Sequence, residues 1–338
     1  MSHAPASFKL AVVAPCYNEE GGLAEFVRRL KAVCASFDCV YEIILVNDGS
    51  RDRTLQVACE LALKDGTLKV INLLRNFGHQ AAVTAGLDAA DGDAVVLIDS
   101  DLQDPPEVIV QMVERWKAGA DVVYGQRRNR EGESGFKRFT AKLFYRLLRS
   151  MTKSDIPADT GDFRLMDRKV AEALRGMRER HRFIRGMVSW VGGRQEPVVY
   201  DRKPRFAGET KYPLRKMISF AIDAITSFSV VPLRLVTYLA LAILGLAVIM
   251  TAVVFGVKLV NPNYFIPGYA SLILLIMFFG GVQLLALGVI GEYLGRMFEA
   301  VKARPIYIIE QVYQQGAVPV NRREIGPEVA AANGRLER

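Results

Sequence analysis

The chain has 338 residues, of which 51% are hydrophobic and 24% are charged, and its net charge at pH 7 is +8. This length suits one large domain or two ordinary ones. No zinc-finger spacing or basic repeat accompanies the positive charge, so we expect no nucleic-acid partner. The four cysteines form no CxxC pair and are expected to be reduced.

From the N-terminus onward, short apolar runs alternate with helical patterns. The strand-like runs span residues 10–14, 42–46, 69–73, 94–98 and 121–124. The segments between them repeat apolar residues with a 3.6-residue period, over 19–33, 52–63, 79–90 and 106–117. This alternation predicts βαβ units, and therefore an α/β domain with a mostly parallel sheet.

Each of the first four strand-like runs ends in a polar turn. The four turns read PCYNE, VNDGS, LRNFGHQ and DSDLQD. Ligands of such sheets bind beyond the carboxyl ends of the strands, so the four turns together predict one shared site. The sequence contains neither GxGxxG after the first strand nor GxxxxGK[ST], which argues against dinucleotide and P-loop sites.

The fourth turn is the richest in carboxylates. Asp99 and Asp101 form a D-x-D pair directly after the apolar run AVVLI, and Gln103 adds an amide oxygen. Such oxygen ligands suit Mg²⁺ or Mn²⁺, the usual companions of a diphosphate. Asp104 precedes two prolines, a pattern typical of a residue that caps the next helix.

Two further polar positions accompany this turn. Asp159 and Asp162, in ADTGDFRLMDR, lie beside an apolar run that could be another strand, and a simple turn built on these aspartates is the alternative. His79 follows Gly78 at the start of a helical pattern. We interpret His79 as a helix-start or packing residue and not as a catalytic base.

The C-terminal third holds two uncharged apolar segments, residues 235–257 and 269–291. Each is long enough to cross a hydrocarbon core of about 30 Å, although a pair of buried core helices is the alternative. The opening residues lack a long apolar signal segment. Positive residues flank the pair, while the connector carries only Lys258. This bias predicts that both ends face the cytosol.

Basic residues cluster before the first apolar segment. Arg127 and Arg128 occur in YGQRRNR, and a second group precedes a segment typical of an amphipathic surface helix: Arg202, Lys203, Arg205 and Lys211. Arginine binds phosphate oxygens well. As a set these cations favour an anionic ligand near a membrane, whereas each one alone could be a solvated surface charge.

These motifs resemble those of a known family. PCYNE, VNDGSRDRT, LRNFGHQAA, IDSDLQDPPE, GQRRNR and GETKY occur in order, and GEYLGRMFEAVKARPIY follows the second apolar segment. Together they resemble the inverting family-two glycosyltransferases with the GT-A fold, in particular the polyprenyl-phosphate glycosyltransferases. That group includes dolichyl-phosphate mannose synthases and bactoprenol glucosyltransferases, and the resemblance covers nearly the whole chain.

The resemblance implies roles for individual residues. The donor nucleotide would contact Pro15, Tyr17, Asn18, Glu19, Asp48, Arg75, Gly78 and Asp99. The metal would be held by Asp99, Asp101 and Gln103. Asp162, with Asp159 second, would face the reacting centre, and the acceptor or diphosphate groups would contact Arg127, Arg128, Arg202, Arg205 and Lys211. Several of these residues are also ordinary turn formers, notably Pro15, Asn18 and Asp48.

The resemblance also implies a domain plan and a location. We expect a cytosolic GT-A domain, juxtamembrane amphipathic helices, two transmembrane helices and a cytosolic tail, over residues 1–210, 211–232, 233–258, 267–294 and 295–338. The protein would be a multi-pass protein of the inner membrane with both termini cytosolic. Glycines in the second apolar segment favour self-association into a homo-oligomer.

The expected reaction is inverting transfer of one sugar to a polyprenyl phosphate. UDP-glucose and undecaprenyl phosphate are the substrates that the resemblance favours, with mannose or another sugar as the alternative. A processive polysaccharide synthase fits less well, because QMVERW is one residue too long for QxxRW and two spans cannot enclose a pore. A non-catalytic membrane scaffold is disfavoured because Asp99 and Asp101 are both present.

Overall fold

The computed structural model describes residues 7–128, 160–180, 182–201, 231–261 and 268–316. The chain divides into two compact units. The first contains Met1–Arg149, Ser154–Pro213 and Pro305–Arg338, and the second contains Ser150–Lys153 and Leu214–Arg304.

An eight-stranded sheet forms the centre of the first unit. Its strands are β1 Lys9–Cys16, β2 Val40–Asn47, β3 Leu68–Leu73, β4 Ala94–Leu97, β5 Val122–Arg127, β6 Thr160–Asp167, β7 Gln195–Tyr200 and β8 Ile309–Gln314. Their order across the sheet is β7-β5-β6-β4-β1-β2-β3-β8. Strands β1 to β4 are mutually parallel, and β5 is parallel to β7. The predicted α/β class with a mostly parallel sheet is confirmed.

In the part of the chain that the structure describes, six helices connect or flank these strands: α1 Leu23–Cys34, α2 Thr54–Leu63, α3 His79–Ala89, α4 Val108–Lys117, α5 Arg168–Gly176 and α6 Ile184–Val191. Helices α1 and α4 begin a few residues later than the apolar spacing predicted. Residues 20–22 and 106–107 form turns that lead into the two helices, with a hydrogen bond from the N–H of Gly22 to the carbonyl of Glu19 and one from the N–H of Val108 to the carbonyl of Pro105.

The core lies around β1, which is buried on both faces as expected for a central parallel strand. Helix α1 presents Phe26, Leu30 and Cys34 to this core with the spacing of one helical face. Helix α3 approaches β1 more closely than a side chain would permit. A Cβ atom added to Gly86 would lie 2.2 Å from Cγ1 of Val13. This glycine therefore fixes where α3 lies on the sheet.

Strand β6 brings a second chain segment to the carboxyl edge of the parallel strands. It runs antiparallel to β4, and the last paired residues are Leu97 and Arg164. Two residues beyond this pair the chain reaches Asp99 on one side and Asp162 on the other. A segment distant in sequence thus begins beside the carboxylate turn.

The chain returns to the sheet after the second apolar helix. Strand β8 pairs antiparallel with β3, and the N–H of Leu74 donates to the carbonyl of Ile308 over 3.0 Å. Just before β8, the hydroxyl of Tyr307 donates to Oδ2 of Asp88, on α3, over 2.7 Å. Sequence patterns had placed residues 295–338 in a tail, and they did not reveal that part of this segment completes the sheet.

The second unit contains two long helices, α7 Val231–Val260 and α8 Tyr269–Val301. Segments Leu233–Val257 and Phe278–Val301 are long and apolar enough to cross a membrane, with mean hydropathies of 2.6 and 1.4. Neither segment is buried, which argues against the alternative of a pair of core helices. Most of the predicted amphipathic segment 211–232 lies outside the described residues.

Candidate active site

The turn after β1 is tied to the turn after β2 and to the carboxylate turn. The carbonyl of Pro15 accepts a hydrogen bond from Oγ of Ser100 over 2.9 Å. Oδ1 of Asn18 accepts from the N–H of Arg51, and the N–H of Asn18 donates to Oγ of Ser50. These bonds bring the ends of three neighbouring strands together at one edge of the sheet.

Tyr17 and Glu19, in the turn after β1, lie in different surroundings. The side chain of Tyr17 is 42% exposed and is accessible to a ligand. The N–H of Glu19 donates to Oγ1 of Thr54 over 2.8 Å, which connects the turn to the start of α2. The structure therefore places the predicted nucleotide-binding residues of PCYNE at the expected edge.

Asp48 is engaged with the loop between β3 and α3. Its two carboxylate oxygens accept hydrogen bonds from the N–H groups of Phe77 and Gly78 over 2.7 and 3.0 Å. Burial raises the pKa of Asp48, and these backbone bonds oppose the shift without cancelling it. Asp48 therefore holds the neighbouring loop in place. In the same loop, the guanidinium of Arg75 stacks over the Phe77 ring, 4.1 Å from its centroid.

The predicted metal ligands follow β4 directly. Oδ1 of Asp101 accepts from the N–H of Gln103 over 3.1 Å, and the Asp101 side chain is buried. Asp99 is only partly exposed, and burial raises its pKa to about 6. The negative charges of Asp162, Asp104 and Asp101 act in the same direction, whereas His79 opposes them. Anionic charge is thus concentrated at this turn.

The oxygen atoms at this turn suit a hard divalent cation whose coordination is completed by a bound ligand. Among the residues that the structure describes, no three His, Cys, Asp or Glu side chains are grouped to hold a metal. Asp99 and Asp101 nevertheless supply carboxylate oxygens at the point where negative charges repel, and a cation there would relieve the repulsion. The remaining ligands would have to be oxygens of water or of a bound diphosphate.

Asp162 is the centre of a network of charged and polar groups. Its Oδ2 lies 3.0 Å from Nε2 of His79 and accepts from Nε2 of Gln80 over 3.1 Å. Its Oδ1 lies 3.0 Å from Nε of Arg185. Arg164 is buried beneath it and donates to the carbonyl oxygens of Gly161 and Asp162. Both oxygens of the Asp162 carboxylate therefore have close partners.

The network fixes the charges of its members. Burial alone would raise the pKa of Asp162, but Arg185 and His79 outweigh burial and lower it well below the usual range. Burial would lower the pKa of His79, but the hydrogen bond to Asp162 and the charge of Asp99 raise it to about 9. At neutral pH the site therefore contains an ionised aspartate and an imidazolium.

Sequence reasoning did not identify most of this network. His79 begins α3 as expected, but its side chain contacts Asp162 and lies 3.7 Å from Oδ1 of Asp99, so the packing interpretation is wrong. Gln80 and Arg185 were not singled out at all. The available signal was the position of GHQ at the end of the third strand, among the polar turns.

Asp104 was predicted to cap α4, but the N-cap position of that helix is Glu107. The fully buried carboxylate of Asp104 instead accepts from the hydroxyl of Tyr200 over 2.5 Å, and Arg127 lies 3.8 Å away. Burial lowers the pKa of Arg127, but Asp104 and Tyr200 outweigh this and raise it.

The predicted acceptor-side cations are only partly described. Arg127 lies beside Asp104, and Arg128 is 3.4 Å from Asp201 in a pair whose side chains are both exposed. Outside the described residues lie Asp159, Arg202, Lys203, Arg205 and Lys211. The structure therefore brings Asp162, Asp99 and Asp101 together at one edge and adds His79 and Arg185 to them.

Comparisons with known proteins show which family the chain is similar to. Glycosyl transferase family 2 matches residues 11–175. An uncharacterized glycosyltransferase of Synechocystis sp. is 47% identical over 316 residues, covering 94% of this chain and 99% of the relative. The uncharacterized glycosyltransferase YkcC of Bacillus subtilis is 49% identical over 303 residues, covering 90% and 94%. The prophage bactoprenol glucosyl transferase homolog of Escherichia coli is 41% identical over 304 residues, covering 90% and 99%.

Proposed function

This chain belongs to glycosyl transferase family 2, and we propose that it transfers a single sugar from a nucleotide donor to a polyprenyl phosphate. The similarity to the bactoprenol glucosyl transferase homolog extends over 99% of that relative. It therefore includes the apolar helices as well as the sheet. The observation that carries the proposal is the juxtaposition of Asp99 and Asp101 with the His79–Asp162–Arg185 network at the carboxyl edge of this GT-A sheet.

The proposed donor is UDP-glucose. Its nucleotide would lie among the turns after β1, β2 and β3, in contact with Pro15, Tyr17, Asn18, Glu19, Asp48, Arg75 and Gly78. The exposed ring of Tyr17 could stack on a base. Asp48 would contribute mainly by holding the loop that contains Phe77 and Gly78. No described residue identifies the sugar, so the choice of glucose depends on the similarity to bactoprenol glucosyl transferases.

Asp99, Asp101 and Gln103 are the residues that would hold Mg²⁺ or Mn²⁺ on the donor diphosphate. When bound, the ion would neutralise negative charge that develops on the leaving diphosphate. Asp99 and Asp101 would orient this end of the donor. The raised pKa of Asp99 supports this role, because burial and, after it, the neighbouring carboxylates disfavour its negative charge, which a bound cation would favour.

In the proposed reaction, an acceptor phosphate oxygen forms a bond to the anomeric carbon as the bond from that carbon to the diphosphate oxygen breaks. Attack from the opposite face inverts the anomeric centre. The second pKa of a phosphate monoester is near 6, so the attacking oxygen is already largely ionised at neutral pH. A strong general base is unnecessary, which suits an aspartate with a lowered pKa.

Asp162 would therefore act by position and charge. It holds His79 and Arg185, and these cations would help two anionic substrates to approach each other. The proposed acceptor contacts are Arg127, Arg128, Arg202, Arg205 and Lys211, with Asp159 nearby as a second candidate for the reacting centre.

The proposed setting is the cytosolic face of the inner membrane. Segments Leu233–Val257 and Phe278–Val301 are long and apolar enough to span it, and both termini would lie in the cytosol. The lipid phosphate would then lie at the depth of the amphipathic segment 211–232. A homo-oligomer remains part of this proposal.

A donor panel tests the proposed function. Detergent-purified protein is incubated with undecaprenyl phosphate and a set of UDP- and GDP-sugars, and the glycolipid is identified by mass spectrometry. We expect one hexose on the lipid, from UDP-glucose, with the opposite anomeric configuration to the donor by NMR. Long glycan chains would instead indicate a processive synthase. Donor binding without any product would indicate a scaffold.

A further inference from the structure

We propose that Gln80 is a positioning residue, whose side-chain amide holds Asp162 and the beginning of α6 in one fixed arrangement. The proposal deepens the proposed function, on which its activity readout rests. Gln80 lies in the first turn of α3, next to His79, and its side chain is partly buried.

Both the nitrogen and the oxygen of the Gln80 side-chain amide make hydrogen bonds. Its Nε2 donates to Oδ2 of Asp162 over 3.1 Å. Its Oε1 accepts from the backbone N–H of Ile184 over 3.0 Å. Ile184 is the first residue of α6, where backbone N–H groups have no partner within the helix. One side chain therefore connects the carboxylate on β6 with the start of a different helix.

The next residue of α6 returns to the same carboxylate. Nε of Arg185 lies 3.0 Å from Oδ1 of Asp162, and its Nη1 donates to the carbonyl of Thr160 over 3.1 Å. The contacts form a closed ring that runs from Gln80 to Asp162, on to Arg185, and back through Ile184. Displacement of the Gln80 amide would therefore shift both the carboxylate and its cation.

Only an amide satisfies both contacts at neutral pH. An ionised glutamate has the same shape but cannot donate to Asp162, and its charge would repel that carboxylate. Methionine has a similar length and neither donates nor accepts strongly. The charged groups around position 80 are Asp162 on β6, His79 on α3 and Arg185 on α6, with Asp99 beyond His79. They make the position sensitive to an added charge.

The first test does not depend on activity. Hydrogen exchange is measured on the full-length protein in detergent, for the wild type, Gln80→Met and the control Gln56→Met. Gln56 is exposed, and its side-chain amide donates to its helix neighbour Glu60. We expect exchange across Ile184–Val191 to increase about fivefold in Gln80→Met, as for the loss of one hydrogen bond, while α4 is unchanged. Unchanged exchange in α6 would overturn the proposal.

The second test separates positioning from general damage. We expect kcat for glycolipid formation to fall about tenfold or more in Gln80→Met at every pH, with little change in the donor KM. In Gln80→Glu the loss should be large at pH 8.5 and should diminish, relative to the wild type, towards pH 6. The protonated carboxyl group again offers one donor and one acceptor.

The outcomes of the second test are distinguishable. If the wild type makes no glycolipid, the proposed function fails, and the exchange experiment still decides the role of Gln80. If the wild type is active and Gln80→Met retains its kcat, the positioning role is overturned. A loss in Gln80→Glu that does not depend on pH would equally contradict the two-sided hydrogen bond.

Discussion

Nε2 of His79 lies 3.0 Å from Oδ2 of Asp162, although the two residues are 83 positions apart in the chain. The contact arises because α3 begins at the carboxyl edge of the parallel strands, and because β6 starts at that edge and runs back beside β4. It links the third strand-end turn to the D-x-D turn, since His79 also approaches Asp99.

This contact predicts a pH-dependent stability. The pKa of His79 in the folded protein is about 9, above its ordinary value near 6.5. Its contribution to stability is therefore fully present below about pH 6.5 and is lost as the pH rises through about 9. We expect the difference in thermal midpoint between wild type and His79→Gln to shrink between pH 6.5 and 9.5. A difference that stays constant over this range would contradict the charge assignment.

The turn after β2 predicts an intolerance of side chains at Gly49. Gly49 has a φ of +63°, and an added Cβ would lie 2.4 Å from the backbone nitrogen of Asn76. Gly49→Ala should destabilise the first unit by at least about 1–3 kcal/mol from backbone strain alone, and should weaken nucleotide binding. Gly22→Ala is the matched control, because nothing lies within 4 Å of its added Cβ. Equal thermal midpoints for the two variants would refute this prediction.

The return of the chain to the sheet predicts a specific role for Tyr307. Its hydroxyl donates to Asp88, a carboxylate that also pairs with Arg178. Burial raises the pKa of the Tyr307 hydroxyl above its usual range. Tyr307→Phe should cost about 1.5–3 kcal/mol, as for a hydrogen bond to a charged group. The measurement is thermal unfolding in detergent.

Tyr313→Phe is the control for this variant. The Tyr313 hydroxyl donates to neutral Gln311 in the same strand, so its loss should cost only about 0.5–1.5 kcal/mol. If Tyr313→Phe lowered the stability more than Tyr307→Phe, the hydrogen bond between Tyr307 and Asp88 would not be a main attachment of the β8 segment to α3.

The strands and the D-x-D turn were predictable because their signals are local. An apolar run that ends in Asp99 and Asp101 identifies a strand end without any knowledge of its neighbours, and β1 to β4 were found in this way. Strand β8 was not predictable in this way, because two long apolar helices separate it in the chain from its partner β3. Periodicity within a window carries no information about such a distant partner.

The polar network was only half predictable for the same reason. Asp162 stood out as a carboxylate near an apolar run, but its partners come from the starts of α3 and α6. His79 at the beginning of a helix looks like an ordinary helix start until β6 is placed antiparallel to β4. The local pattern around Asp104 predicts a helix cap and gives no sign of the buried hydrogen bond from Tyr200.

We propose that the carboxylates after β4 form the donor end of an active site that glycosylates a polyprenyl phosphate. The most direct measurement is the initial rate of glycolipid formation from undecaprenyl phosphate and UDP-glucose at increasing Mn²⁺, for wild type, Asp101→Asn and the exposed control Asp38→Asn. We predict a saturable metal dependence in the wild type and the control, and a rate at least about a hundredfold lower in Asp101→Asn. A metal-independent rate, or full activity in Asp101→Asn, would contradict this account.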